Sequence, residues 1–581
     1  VYRPDQVKGV KTRGVHGALS PEEAVKQLLE GTGLEVSTDS TRAMLIAAPQ
    51  VIARNSPSDD DGTLWDEIIV TATKENMPAR TIAGSVAVLP GSQLDASGAQ
   101  SFADYLTRVP GVIFNAGPLQ KRTFIAEPLD FKTTINNLRL DQDVGIATLT
   151  ATATYHQKAQ FSKFDLTALF GPLFGNQLSP IGGLQSASSN GTTFEMRLAS
   201  KPGGRLDYVV GIMHDLTRES FLDLFGAPGA EQYATRTYDP IFGAGFGQRA
   251  APGNIFYTAP LDVKGEEEAL FGEGSFHFND QWKITLGGRL FDTKVDGANS
   301  ASGLLYYLLT TPQVLSFDFA SAEKATGFTP KASITWNPTS NIMTYALASK
   351  GFRFGGPNIN PPDPKAPFPP TYAPDSLWNY EIGTRTDWLD RTLELDATAF
   401  YIDWSNIQVR LATAGGLAYA TNFGKAKNYG LESTVLWHPV GGWTMRGNVT
   451  YLDATLSQAV VSGATNEPAG ATLPGASKWN LNATVRYDWS GIPLRPAVQL
   501  SDRFISTAPA GFGFVEPITV GNYNLLDARA SGRYGNIEAT VFVNNIADKR
   551  GVSTANDIAS SPFSQYIVRP RTYGLTLDYR F

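Results

Sequence analysis

Through most of this chain apolar and polar residues alternate one for one, in segments of about ten residues separated by stretches rich in Gly, Pro, Asn and Asp. The last segment shows the pattern most plainly. Tyr573, Leu575, Leu577, Tyr579 and Phe581 fall on one face of a strand, and Gly574, Thr576, Asp578 and Arg580 on the other. Trp282, Ile284, Leu286, Gly288 and Leu290 alternate in the same way with Lys283, Thr285, Gly287 and Arg289. Trp443, Met445, Gly447, Val449 and Tyr451 repeat the pattern, as do Trp479, Leu481, Ala483, Val485 and Tyr487. An aromatic tends to stand at a strand end, where an interfacial girdle is expected. Leu389-Asp390-Arg391 and Tyr534-Gly535-Asn536 read as tight turns, and residues 352–376, 456–476 and 505–521 as long loops. The count comes to roughly 16 to 18 strands. The fold class this predicts is mainly β: a transmembrane antiparallel β-barrel, apolar outside and polar inside.

Upstream the pattern changes. Residues 1–54 read as a small α/β unit, with a helix opening at Ser20-Pro21-Glu22-Glu23, where Ser20 caps and Glu23 completes a capping box. Gly31 stops that helix, and short strands follow at Leu34–Ser37 and Ala43–Ala47. Asn55–Thr63 is an acidic linker, and its run Asp59-Asp60-Asp61 reads as solvated rather than metal-binding. A β-prone stretch, Trp65–Lys74, ends the linker within 55–77. Residues 78–120 form a small globular piece with Phe102, Ala103, Leu106 and Val109 at helical spacing, and the barrel occupies 121–581.

Composition narrows the reading. No apolar run approaches the ~18 residues of a membrane helix, so a membrane protein of this sequence has to be a closed barrel. The absence of Cys removes disulfides, thiolate metal sites and Cys nucleophiles. A net charge of -7 argues against a nucleic-acid binder. The chain opens at Val1 without a basic or apolar leader, so any export signal was removed or lies ahead of it.

Asp66, Glu67, Ile68, Ile69, Val70, Thr71, Ala72 and Thr73 resemble the TonB box of TonB-dependent receptors, the energised transporters of the Gram-negative outer membrane. Such a segment must be short, extended and able to add to a partner's sheet edge, and Ile68, Ile69 and Val70 give it strand propensity. Leu19–Leu34 is similar to the short N-terminal signalling domain of secretins and of some of these receptors. Thr81–Leu89 with Phe102–Val112 resembles the opening of their plug. Thr193–Ser200 with Gly204–Tyr208, Tyr345–Gly356 and Asn544–Lys549 resemble barrel patterns of the family. The chain passes from Gly117–Gln120 almost directly into a strand near Lys132–Leu140, so the resemblance implies that much of the plug and the first strands are missing against the 22 strands of a complete transporter.

The resemblance implies an outer-membrane protein with its N-terminal domain and short turns in the periplasm and its long loops outside. It implies uptake of a scarce solute such as a ferric siderophore. The implied partners are TonB with its ExbB–ExbD energising complex, the barrel-assembly machinery reading the terminal Tyr579 and Phe581, outer-membrane lipid, and an anti-sigma regulator. Phe352, Arg353, Phe354 and Tyr372 are candidate ligand contacts, since aromatic and cationic loop residues enclose the ligand in such receptors. A passive porin-like channel and a non-transporting remnant remain alternatives.

No enzyme site, cofactor or metal is expected. His16, His156, His214, His277 and His438 are scattered, and Gly243-Ala-Gly-Phe-Gly247 has no βαβ unit around it to make a dinucleotide loop.

Overall fold

The computed structural model describes residues 35–38, 44–47, 69–70, 77–78 and 81–84 of the N-terminal region. From residue 124 it describes all but 202, 311–312, 359–368, 413–417, 463–464, 513–517, 559–560 and 580–581. The chain divides into two units, residues 1–64 and 65–581. In the first, Glu35–Thr38 and Met44–Ala47 pair antiparallel, the two strands the sequence predicts there. The expected helix from Ser20 lies outside the described residues.

The second unit is one large antiparallel sheet of seventeen strands. The first six are β1 (Leu129–Asp143), β2 (Ala147–Asp165), β3 (Gly182–Ser200), β4 (Leu206–Gly226), β5 (Ile255–His277) and β6 (Trp282–Ser302). Then come β7 (Ser316–Thr339), β8 (Ile342–Arg353), β9 (Asp375–Trp388), β10 (Leu393–Ala412), β11 (Ala418–Trp437) and β12 (Trp443–Leu456). The last five are β13 (Trp479–Asp488), β14 (Ala497–Ile505), β15 (Tyr523–Tyr534), β16 (Ile537–Asn544) and β17 (Thr572–Tyr579). Each strand pairs with the next, and the order closes as a barrel. Short turns such as 144–146, 340–341 and 535–536 lie at one end, and long connections such as 227–254, 457–478 and 545–571 at the other. Both predicted tight turns are present, between β9 and β10 and between β15 and β16.

Alternation translates directly into two faces. Tyr573, Leu575, Leu577 and Tyr579 of β17 are exposed, as are Trp282, Leu286 and Leu290 of β6. At the short-turn end Trp282 stacks on its cross-strand partner Trp336, and Trp443 leans on its partner Tyr487. Tyr451 and Trp479 make the matching contact at the other end of β12 and β13. From Trp443 to Tyr451 the strand advances ~26 Å. Tilted by ~40°, it crosses ~20 Å, close to the apolar band of an outer-membrane barrel. On β6 the outward apolar run ends at Leu290, and Asp292, Lys294 and Asp296 follow on the same face, so this strand continues beyond the lipid. Lumen-side residues are polar and paired, as in Lys331 with Glu273 at 2.8 Å and Arg197 with Glu195 at 2.8 Å.

A second device recurs along the wall. Gly183, Gly211, Gly327, Gly383, Gly430 and Gly574 stand directly opposite Phe164, Phe271, Phe291, Tyr345, Phe400 and Phe542 on the neighbouring strand. In each case the ring lies where a Cβ would be, between 2.3 and 2.7 Å from that point. The ring covers the glycine's backbone and supplies the packing that the missing side chain cannot.

The seam between the first and last strands differs from the rest. Seventeen antiparallel strands in succession leave β1 and β17 running the same way, so a ladder between them has to be parallel. Paired registers run without a break from β1 through β17, and in the closed order β17 is the neighbour of β1. All fifteen residues of β1 are exposed, including Phe131, Ile135, Leu138 and Leu140.

The Gly383→Val substitution drives a side chain into the Tyr345 ring and should cost about 1–3 kcal/mol. The check is the urea midpoint at which the compact, heat-modifiable gel band is lost; an unchanged midpoint would show that the ring simply moves aside.

Candidate functional site

Three groups of residues carry chemistry beyond the sheet. The first sits where β8 and β9 leave the wall at the long-loop end. Arg353 stands opposite Asp375 in the β8–β9 register. The Asp375 side chain is only 2% exposed, whereas half of Arg353 reaches solvent. The Arg353 Nε donates to both carboxylate oxygens at 3.0 and 3.1 Å, and Nη2 adds a further bond. Trp404 Nε1 donates to the same carboxylate at 3.0 Å and the Gln408 backbone N–H at 3.3 Å, while the Arg353 guanidinium lies 4.7 Å from the Trp404 ring centre. A buried carboxylate with this many donors is satisfied by the fold.

Around this pair lie the other predicted contacts. The Phe352 ring stacks on Phe291 at 3.7 Å, nearly parallel, and Phe354 meets Phe352 edge-on at 5.4 Å. Tyr372 pairs with Gly356 in a two-residue antiparallel ladder. Burial raises its phenol above the ordinary tyrosine value, and the Arg353 charge opposes that shift. The structure thus brings all four residues to the same end of β8 and β9. Phe352 and Arg353, expected in the loop, are the last residues of β8 instead, because the ladder with β9 runs to Arg353↔Asp375. The sequence reading missed Asp375, Trp404 and Asn358. Asn358 accepts from the Ala420 N–H at 2.6 Å and donates to the carbonyls of Pro369 and Ala420 at 2.7 and 2.8 Å, tying the loop to β11.

The second group is a cap of short helices, also at the long-loop end: α1 (Thr167–Phe170), α2 (Ala230–Phe242), α3 (Phe246–Ala250) and α4 (Leu304–Leu309). They enclose the largest apolar core of the described residues, with Phe174, Phe256, Leu304, Leu305 and Tyr306 fully covered. The glycine-rich run at 243–247 belongs to this cap. A Cβ on Gly247 would fall 2.1 Å from the Thr235 nitrogen, so glycine permits α3 to cross α2 closely. Asp239 caps the turn by accepting from the N–H groups of Gly245 and Gly247 at 2.8 and 2.7 Å. Those two bonds, led by the one from Gly247, hold the carboxyl below its ordinary range.

The third group lies at the short-turn end of β8–β10. Arg385 of β9, 4% exposed, pairs with Asp396 of β10 at 2.8 Å. Its Nη1 donates to the Ile82 carbonyl and its Nη2 to the Gly84 carbonyl. The Tyr345 hydroxyl nearby bonds Glu381 at 3.1 Å and Thr398 at 3.0 Å, and its ring centre stands 6.0 Å from the guanidinium. Of the box-like segment, Ile69 and Val70 pair antiparallel with Pro78 and Met77. Asp66, Glu67, Ile68, Thr71, Ala72 and Thr73 lie outside the described residues, as does Phe581. Among the described residues the histidines form no metal-binding group: His277 bonds Asp207 at 2.7 Å, and His214 stands 3.8 Å from Glu268.

Residues 89–546 match the family described as TonB dependent receptor-like, beta-barrel. The chain belongs to this family. Its residues 1–48 match the secretin and TonB N terminus short domain. The ferripyoverdine receptor of Pseudomonas aeruginosa is 24% identical over 154 residues, covering 24% of this chain and 18% of that protein. The probable TonB-dependent siderophore receptor PiuA of Acinetobacter baumannii is 24% identical over 229 residues, covering 38% and 30%. Among solved structures, the ferric yersiniabactin uptake receptor FyuA from Yersinia pestis superposes with a TM-score of 0.62 at 17% identity, over 79% of this chain and 63% of that one. The Pseudomonas aeruginosa ferripyoverdine receptor bound to ferripyoverdine gives 0.51 at 14% identity, over 100% and 96%. These likenesses establish the fold: a receptor barrel of the outer-membrane kind, in a family of transporters and receptors rather than enzymes. The matched stretches span less than a third of the two curated relatives.

Because its folded-state pKa is depressed, the Asp239 carboxylate stabilises the α2–α3 turn above the ordinary carboxylate range, and that contribution is lost as pH falls through the lowered value. Protease cleavage within 228–253 should therefore rise in the Asp239→Asn variant at neutral pH. In the parent it should rise only on acidification below the ordinary carboxylate range.

Proposed function

We propose that this receptor takes up a scarce solute, a ferric siderophore, across the outer membrane by coupling to TonB. The relatives with which it shares sequence are named for siderophores. The observation that carries the reading is the different equipment of the barrel's two ends. At the long-loop end, solvent-reaching Arg353 stands with Phe352, Phe354 and Tyr372, a cationic and aromatic group suited to an anionic, conjugated ligand. At the other end the chain that follows the box-like segment is tied to the barrel wall through Arg385.

In this reading residues 1–54 are a periplasmic signalling domain whose partner is an anti-sigma regulator, 55–77 carry the linker and TonB box, 78–120 a shortened plug, and 121–581 the barrel. Asp66–Thr73 add as a strand to TonB, which draws on ExbB and ExbD. Tyr579 and Phe581 present the chain to the barrel-assembly machinery. Deleting residues 66–73 should lower uptake of a radiolabelled ferric siderophore at least ~10-fold, in steps with loss of TonB itself, while leaving binding to whole cells intact. Uptake that survives both deletions would sink the reading.

The exposed first strand and the parallel seam favour one second reading, a passive pore. Planar-bilayer conductance separates the two. A steady open conductance in the purified protein, unchanged by removal of residues 66–123, supports the pore; a closed baseline supports the receptor.

A further inference from the structure

We propose that Arg385 is a clasp on the barrel wall: it grips the chain at Ile82 and Gly84 and holds the box-bearing segment in place until a pull on that segment frees it. This rests on the TonB-coupled reading above, although its test needs neither TonB nor a ligand.

The clasp is built from the wall outward. Arg385 lies four residues before the β9–β10 turn that begins at Leu389. It faces inward, because Ile382 and Trp388 on the opposite face are exposed while Gly383, Arg385 and Asp387 are buried. Asp396 on the next strand takes the Nε–H at 2.8 Å and fixes the plane of the guanidinium. The two terminal nitrogens then face into the lumen, one on the Ile82 carbonyl and one on the Gly84 carbonyl. The chain bends at residues 83–84, and its two carbonyls meet a planar fork of donors, a geometry that a lysine ammonium does not reproduce. Tyr345 braces the fork from beside: its ring fills the gap opposite Gly383, and its hydroxyl is tied to Glu381 and Thr398.

Position makes this a mechanical element. Eight residues lie between Thr73 and Ile82, nine steps that span at most ~30 Å of extended chain. Once that slack is drawn out, a force on residues 66–73 arrives at Ile82 and Gly84 before it reaches any later residue. Release breaks the hydrogen bonds to Ile82 and Gly84 and leaves the arginine still paired with Asp396, so the clasp can open and close without stranding a buried charge.

The chain has no cysteine, so Ala83→Cys places a single, half-buried thiol between the two gripped carbonyls. Its rate of labelling by a soluble maleimide is measured in purified outer membranes, with Arg385 intact, with Arg385→Lys, and with Arg385→Met combined with Asp396→Asn. A second single-thiol chain, Ala426→Cys, carries its probe at a fully buried wall position and reports general loosening. The clasp predicts labelling at 83 at least ~10-fold faster in the double variant and several-fold faster with lysine, at an unchanged rate at 426. Rates at 83 within twofold of the parent overturn it, as does equal acceleration at both sites. Should the double variant fail to give a heat-modifiable band, the lysine variant decides by the same criteria. A chain that fails TonB-dependent uptake yet shows the accelerated labelling keeps the clasp and loses only the transport reading.

Discussion

In the hydrocarbon of a membrane an unpaired backbone N–H or C=O costs several kcal/mol, and the architecture of this protein follows from that constraint. Sixteen consecutive antiparallel ladders pair the strands from β1 to β17, and the side chains then sort by parity alone, apolar to lipid and polar to lumen. Even the opposed glycine–aromatic pairs serve the ladder, since the ring screens backbone that no glycine side chain could cover. Only the β1–β17 seam stands outside the pattern: an odd number of strands brings two edges of the same direction together, and β1 is exposed along its whole length.

Polar groups inside the barrel follow the same accounting in a milder solvent. Asp375 is buried but collects donors from Arg353, Trp404 and the Gln408 backbone, so the loops leaving β8, β9 and β10 are fastened at one carboxylate. Asp396 does the equivalent for Arg385 at the opposite end. Both pairs join adjacent strands near a strand end, where the lumen meets water, and both leave part of the arginine's fork for another partner: solvent at Arg353, backbone carbonyls at Arg385. The two ends thus differ in what the arginine faces rather than in how it is anchored.

Low identity to the solved receptors, 14% and 17%, alongside superposition of the barrel is what this physics predicts. A lipid-facing strand asks for an apolar residue at every second position and for little else, so the fold tolerates wide substitution. Loop and lumen residues are under no such common rule, and the ligand has to be sought there.

What the sequence determined by itself was everything with a local period. The alternation of Tyr573 to Tyr579, the aromatic strand ends at Trp282 and Trp443, and the turn at Tyr534-Gly535-Asn536 are legible because each needs only its neighbours in the chain. The helical cap over 167–309 was not legible, since its helices are short and held by tertiary burial rather than by propensity. The partners of Asp375 and Arg385 were equally hidden. Arg385 meets Ile82 across 303 residues of sequence, and only strand register, accumulated over the intervening wall, decides that the two coincide. Periodicity fixes which way a side chain faces; what it meets there is set by the closure of the whole sheet.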